Sequence, residues 1–455
     1  MAKRPRSITR TPSVLHPDAA GIDVGSREHW VAVPAERAGE SVRCFRTFTA
    51  DLEALAQWLS ECGVRTVAME STGVYWIPVY ELLERRGFEV LLVDARSVRH
   101  VPGRKSDVLD CQWIQQLHSF GLLRASFRPD DRIVVLRSYA RQRERWIRLS
   151  SRQIQHMQKA LNEMNVQLHH VLSDLAGVTG MRIVRALASG EYDPAVLAQF
   201  RDVRCRATQA EVEGALRGNL REEHLFALRQ ALELYDVVGE KIRACEAQID
   251  QVLHALAPEP PAHPVPAPRS RRAPRGNALR IEVRERLFAL AGGVDLTQIE
   301  GLAPSSVLHL IAEIGTDLSR WPTEKHFVSW LRLAPRTKIS GGKRLDQRTP
   351  AGSPRAAQIL RQAATSVLRS PTALGAFHRR MRARVGVAKA VVATAAKIAR
   401  LIYRLMRGRV EYTPLSAAQY DAQFHHRLSR SLQRRARQLG YALVPIEPQS
   451  EPAKG

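Results

Sequence analysis

Short apolar runs alternate with helical-period stretches from about residue 18 to 127, and a purely helical period follows from 128 to about 256. Ala20 to Val24 and His29 to Val33 read as two strands of a hairpin, with Val64 to Glu70 and Glu89 to Asp94 as further strands. Between them Leu52 to Cys62, Tyr75 to Arg86 and Ser106 to Phe120 read as helices, the first clearly amphipathic, the last two closed by Gly87 and Gly121. Strands alternating with helices predict an α/β layer around a central sheet.

Beyond residue 128 glycine becomes sparse. Ile133, Leu136, Tyr139, Ile147, Ile154, Met157, Leu161, Met164 and Leu168 mark one long amphipathic run. Leu225, Leu228, Leu232, Tyr235, Val238, Ile242, Ile249 and Leu253 mark another. Two long helices with a helical hairpin between them predict an antiparallel coiled coil, and the narrow seam between charged faces favours a protruding arm over a bundle. Residues 257–277 are rich in Pro and Arg and read as an extended linker, because Pro neither continues a helix nor donates within a sheet. Residues 278–410 are mostly helical in pattern, 411–455 form a tail that frays by Pro445, and 1–17 form a basic, disordered arm.

Charge narrows the function. The 455 residues include 69 Lys and Arg against 45 Asp and Glu, a net charge of +24, so a polyanion is the expected partner: nucleic acid first, an anionic membrane surface second. Aromatic residues are only 6% of the chain, which argues against the membrane surface. No apolar run is long enough to span a bilayer, and no signal-peptide core follows the basic N-terminus. The five cysteines are scattered and odd in number, which argues against a disulfide framework and a structural zinc site and fits a reducing cytoplasm.

Four carboxylates stand where carboxylates are unusual. Asp23 lies in the apolar run Ala-Gly-Ile-Asp-Val-Gly, Glu70 ends Thr-Val-Ala-Met-Glu, and Asp107 and Asp110 are three apart on one helix face. Two strand-borne and two helix-borne carboxylates make the oxygen-rich cage that Mg²⁺ requires, with Mn²⁺ as the substitute. Two such ions about 4 Å apart would activate the attacking oxygen and stabilise the leaving oxygen of a phosphodiester. Gly21 and Gly25, flanking Asp23, would let metal and phosphate approach the backbone. Asp94 competes as a ligand, since it also ends a strand; Asp23 could instead cap a turn with Ser26, and Glu70 the helix after it.

The C-terminal half carries the positive charge. From Arg320 to Arg409 there are 21 Lys or Arg against two acids, Glu324 and Asp346, with Arg379 and Arg380 among those on helices. A face so one-sided suits phosphate binding. Leu296 to Gly315 reads either as a phosphate-binding helix-hairpin-helix turning at Gly301 or as a plain structural hairpin. In Lys338-Ile-Ser340-Gly341-Gly342-Lys343-Arg344 a hydroxyl is set in a glycine-rich loop among basic groups that would bind nucleic acid and stabilise a pentacoordinate phosphorus. Ser353, in Ala-Gly-Ser-Pro, is an equal candidate on composition.

Gly21-Ile-Asp-Val24, Glu70-Ser-Thr-Gly-Val-Tyr-Trp76 and Lys105-Ser-Asp-Val-Leu-Asp110 resemble the DEDD half of IS110-family transposases, IS1111-type members included. Ile299-Glu-Gly301, Ala312-Glu-Ile-Gly315, Leu333-Ala-Pro335 and Ser340-Gly341 resemble their serine-bearing half. The chain departs from the family pattern with Glu300 in place of a Pro and Cys111 in place of an Ala. The resemblance implies a RuvC-like (RNase H-like) α/β domain over 18–127, a helical coiled-coil region and a mainly α transposase domain over 278–410. It implies that Asp23, Glu70, Asp107 and Asp110 hold metal and that Ser340 is the nucleophile. It further implies a recombinase acting on donor and target DNA, guided by a bridge RNA from the element and passing through a Holliday-junction-like intermediate. Composite sites would form in a homo-oligomer, a dimer that becomes a tetramer in the synaptic complex, in the bacterial cytoplasm at the nucleoid.

Two other functions use the same residues. A RuvC-like nuclease or junction resolvase would need the four carboxylates and activated water but not Ser340. A lapsed RNA- or DNA-binding scaffold would need neither.

Overall fold

The computed structural model describes residues 13–71, 73–94, 107–261, 263–269, 276–336, 338–341, 343–346, 349–350 and 352–444. The chain separates into two units, Met1–Arg128 and Pro129–Gly455.

The first unit is a five-stranded mixed sheet with helices. β1 (Ala19–Val24), β2 (Glu28–Ala32) and β3 (Val42–Arg46) form an antiparallel meander, while β4 (Thr66–Glu70) and β5 (Glu89–Val93) run parallel to β1, giving the order β3-β2-β1-β4-β5. α1 (Thr49–Glu61) and α2 (Trp76–Arg85) pack on the sheet through Leu55, Leu59, Val79 and Leu83, all fully buried with Ile22, Val67 and Met69. α3 (Asp107–Ser119) packs on the sheet through the buried Ile114, beside Ala68 and Val93. β3 escapes the sequence pattern because it is an edge strand: Arg43, Cys44 and Arg46 face solvent, so the apolar alternation is absent.

The second unit is built on two long helices, α4 (Asp131–Glu163) and, beyond the short helices α5 (Leu168–Val171), α6 (Val178–Ala188), α7 (Pro194–Ala198) and α8 (Gln209–Leu216), α9 (Glu222–Leu256). They pair antiparallel within the chain: Arg143 of α4 meets Glu246 of α9, and Glu163 meets His224. The short helices close over one end around Met157, Leu161, Ile183, Val212 and Leu228. The seam is not wholly apolar. Arg143 and Glu246 are each 2% exposed, and the guanidinium also donates to the carbonyls of Asn277 and Ala278 at 2.9 and 3.1 Å. A buried charge is tolerable only with its partners in place, so this group ties the helix pair to the chain beyond the linker. Glu246→Ala would strand the guanidinium and should cost about 3–5 kcal/mol, read as a lower denaturation midpoint.

The remaining elements are α10 (Arg284–Leu290), α11 (Pro304–Ile314), α12 (Glu324–Trp330), the hairpin β6 (Lys338–Ser340) and β7 (Lys343–Asp346), then α13 (Arg355–Ser366), α14 (Ala373–Val385), α15 (Val387–Gly408) and α16 (Ala417–Gln438). The end of α11 is clamped to α4: Arg137 donates to the carbonyls of Ala312 and Glu313, and Arg141 forks onto the Glu313 carboxylate with two 2.7 Å bonds. Cations at a helix C-terminus satisfy its unpaired carbonyls and suit its dipole. α15 is buried along one face by Ala395, Ile398, Ala399 and Ile402, beneath the aromatic cluster of Trp321, Phe327, Trp330 and Tyr403. Among the described residues no helix is long and apolar enough to cross a membrane.

Candidate active site

The register of β1 on β4 sets Ile22 beside Met69, so Asp23 and Glu70 follow at neighbouring strand ends. α3 lies against β1 at Gly21. A Cβ there would stand 2.2 Å from the backbone N of Gln115 and 2.4 Å from the carbonyl O of Cys111. Gly21 and Asp23 are two apart in a strand and so share a sheet face. The contact that only glycine permits therefore brings α3 to the face carrying Asp23. This differs from the expectation that Gly21 leaves room for metal and phosphate: helix backbone fills that space. Gly25 serves the β1–β2 turn, where a Cβ would meet the Glu28 carbonyl at 2.5 Å. Gly21→Ala should cost at least about 1–3 kcal/mol through overpacking against rigid backbone, and should weaken any Mg²⁺-induced rise in Tm. Thermal melts with and without Mg²⁺ measure both.

With α3 so placed, one carboxylate oxygen from each of Asp23, Asp107 and Asp110 lies within 4.8 Å of the other two. Asp107 and Asp110 occupy the first turn of α3, where the helix dipole favours negative charge. Burial, then the charges of Glu70, Asp107 and Asp110, push the Asp23 carboxyl up to about 6; the backbone N–H of Val24 partly offsets this. Glu70 is near enough to raise Asp23 electrostatically but is not in the 4.8 Å group, and Asp94 is not in it either. Cys111 is fully buried behind the cluster, its thiol donating to the Val108 carbonyl, and burial pushes it up to about 12, so it is neither ligand nor nucleophile.

Carboxylate oxygens crowded at this spacing, two of them on the partly buried Asp23 and Asp110 and one on the exposed Asp107, repel one another. A hard divalent cation fits such a donor set, which contains neither nitrogen nor sulfur. The sign of the pH effect follows. Asp23 has a folded pKa above its unfolded value, so in metal-free protein its ionisation opposes folding above about pH 6, and the penalty fades as pH falls towards 4. Asp23→Asn should therefore raise the metal-free Tm at pH 7 by about 2–4 °C and leave it unchanged near pH 4. Mg²⁺ should raise the Tm of the wild type more than that of the variant.

Ser340 ends β6 and pairs with Lys343 across a two-residue turn in which Gly341 has φ 55°. Both Ser340 and Lys343 are exposed. Two glycines between paired strands suit a tight primed turn. The serine thus stands at the tip of a hairpin, where the sequence pattern shows only a loop. Gly342 lies outside the described residues, as do the side chains of Lys338 and Arg344. Ser353, the rival serine, accepts a 2.7 Å bond from Arg361 beside the start of α13.

Two expected phosphate contacts have different surroundings. Arg379 is exposed and also donates to the carbonyls of Leu368 and Ser370. Arg380 is enclosed between Asp421 and the rings of Tyr420 and Phe424, so it anchors α16. Gly301, at φ 86°, packs on α13, where a Cβ would lie 2.6 Å from both the Ala363 carbonyl and the Ser366 hydroxyl. Beside it Glu300 is 4% exposed and accepts from Tyr412. Arg269 pairs with the Glu300 carboxylate at 3.0 Å, so at this turn both the glycine and the acid are engaged in contacts within the second unit.

Residues 20–166 match a family model of the DEDD, IS110 type described as a transposase. Residues 295–379 match one described as the IS116/IS110/IS902 transposase family. The first match contains all four carboxylates and the second contains Ser340. No curated protein matches the chain.

Proposed function

Because the chain belongs to the IS110 family of transposases, enzymes that recombine DNA, we propose that it cuts and rejoins the DNA of its own mobile element through Ser340, guided by an RNA from that element. The observation that carries this reading is the trio Asp23, Asp107 and Asp110 within 4.8 Å, with Glu70 beside it. The sheet order, with three antiparallel strands followed by two parallel ones, supports a RuvC-like layout.

In this reading Asp23, Asp107 and Asp110, with Glu70, hold Mg²⁺. Bound there, Mg²⁺ would polarise the scissile phosphate and stabilise the departing oxygen. The Ser340 oxygen attacks phosphorus, the bond to the leaving strand oxygen breaks, and the serine proton passes to solvent or to the leaving oxygen. The resulting phosphoserine ester retains the phosphodiester energy. A strand hydroxyl then attacks the ester, restoring the serine and joining the new strand. Water attack would release that energy without joining. Exposure at a hairpin tip suits a nucleophile that must meet carboxylates of another subunit. Lys343 and Arg379 neutralise phosphates nearby on the strand.

The test mixes purified protein, Mg²⁺, element-end DNA, target DNA and RNA transcribed from the element flanks. Joined junctions should form only when all are present. Junctions that form equally well without RNA would remove the guide from this reading, and nicks without junctions would favour a water-using nuclease.

A further inference from the structure

The distal half of α16 belongs to no part of the site described above. Its proximal end is fixed: Ser416 and Gln419 form a reciprocal cap, Ala417 donates to the Pro371 carbonyl, and Asp421, Tyr420 and Phe424 enclose Arg380. Beyond Phe424 the helix continues for almost four turns with no buried residue. Arg427, Arg430, Arg434 and Arg437 fall at intervals of three, four and three, so they form one ridge on the helix. The ridge is about 15 Å long at 1.5 Å per residue. Arg430, Gln433, Arg434, Arg437 and Gln438 border one shallow groove of about 390 Å³.

Arg427 donates to the Gln423 carbonyl at 3.2 Å, and the other three arginines have no such partner among the described residues. Asp421 is the helix's one acid, and Arg380 takes it. Among the described residues Arg430, Arg434 and Arg437 have no carboxylate partner. From 422 to 444 the chain has five arginines and no acid. Pairing two copies along this ridge would set like charges together, so a polyanion is the matching occupant. The half-exposed Leu428 and Leu432 lie on a different side of the helix and are not needed for it.

We infer that the arginine ridge of α16 is a docking surface for duplex DNA, lying in or along the major groove. The major groove of B-form DNA, about 12 Å wide, admits a helix, whereas that of A-form RNA is too deep and narrow for its side chains to be read. DNA also offers one charge per about 1.7 Å of axis, so a 15 Å ridge spans more phosphates than it has arginines. The helix is held at its first turns, and its later turns carry no buried residue, which leaves the ridge open to a ligand. The inference rests on DNA being the substrate, not on Ser340 being the nucleophile.

The test uses the full chain and fluorescence anisotropy. A labelled 20-base-pair DNA of unrelated sequence and a labelled RNA hairpin are titrated at several salt concentrations. The triple variant Arg430→Gln, Arg434→Gln, Arg437→Gln should bind the DNA about 10–100-fold more weakly. Its slope of log affinity against log salt should be shallower by about 2.7, three contacts at about 0.9 each. The corresponding triple Lys variant should retain the wild-type slope, and Leu428→Ser with Leu432→Ser should bind DNA within about twofold of wild type; together these separate lost charge from a lost helix. RNA-hairpin affinity should change at least fivefold less than DNA affinity. Wild-type DNA affinity and slope in the Gln variant would overturn the proposal, as would an equal or larger loss on RNA, or a matching loss in the Leu variant.

Discussion

Asp110→Asn should lower strand cleavage by about 10³-fold or more while leaving the fold intact. The substitution keeps the shape but turns one acceptor oxygen into an N–H donor and removes one of the three negative charges gathered within 4.8 Å. A metal that stabilises a transferring phosphate contributes several kcal/mol, and each 1.36 kcal/mol is tenfold in rate. Loss of a ligand charge therefore falls on cleavage, joining and any covalent intermediate together. The metal-free protein should melt no lower than wild type, because the substitution relieves repulsion on Asp23. Its Mg²⁺-induced rise in Tm should largely vanish. Single-turnover cleavage with saturating Mg²⁺, beside melts with and without the ion, checks both parts. Wild-type cleavage by Asp110→Asn would mean that this cluster has no catalytic role, whereas no cleavage by either protein is what the lapsed scaffold predicts.

Ser340→Ala should abolish joined junctions, again by about 10³-fold or more, through removal of the attacking oxygen. Unlike Asp110→Asn it should leave the Mg²⁺-induced rise in Tm unchanged, since Ser340 lies in the other unit from the carboxylates. Affinity for DNA and RNA should stay within about twofold, because an exposed hydroxyl adds little to binding carried by arginines and lysines. Quantitative amplification of the junction measures joining; anisotropy measures binding. Junctions at the wild-type level would move the nucleophile elsewhere, with Ser353 the next residue to substitute.

Much of this site is legible in the sequence because carboxylates in apolar surroundings are conspicuous. Asp23 in a buried strand and the Asp107/Asp110 pair on one helix face announce themselves, and the structure gathers those three. Their assembly is less legible. Gly21 decides how closely α3 approaches β1, yet a glycine two residues before an aspartate does not reveal which backbone will press on it. The edge strand β3 lacks alternation because its outward residues are charged, and the β6–β7 hairpin is too short for a period to emerge. Its one signal is the Gly-Gly pair, which suits a two-residue hairpin turn as well as a phosphate loop. The apolar spacing of α4 and α9 foretells their pairing, but not the buried Arg143–Glu246 ion pair, since a period drawn from apolar positions passes over charges. The same limit applies to Arg379 and Arg380. They are neighbours with one charge each, and only tertiary structure shows that Arg380 is taken by Asp421 and two rings.

The central claim is that the serine becomes covalently bonded to DNA at a metal-dependent site. A denaturing gel of wild type, Ser340→Ala and Asp110→Asn tests it directly, with labelled element-end DNA, RNA from the element flanks, and Mg²⁺ or a chelator. A protein–DNA adduct should survive denaturation in the wild type with Mg²⁺ and be absent with chelator and in both variants. Free nicked DNA without adduct, made equally by wild type and Ser340→Ala, would contradict the account and leave water as the nucleophile.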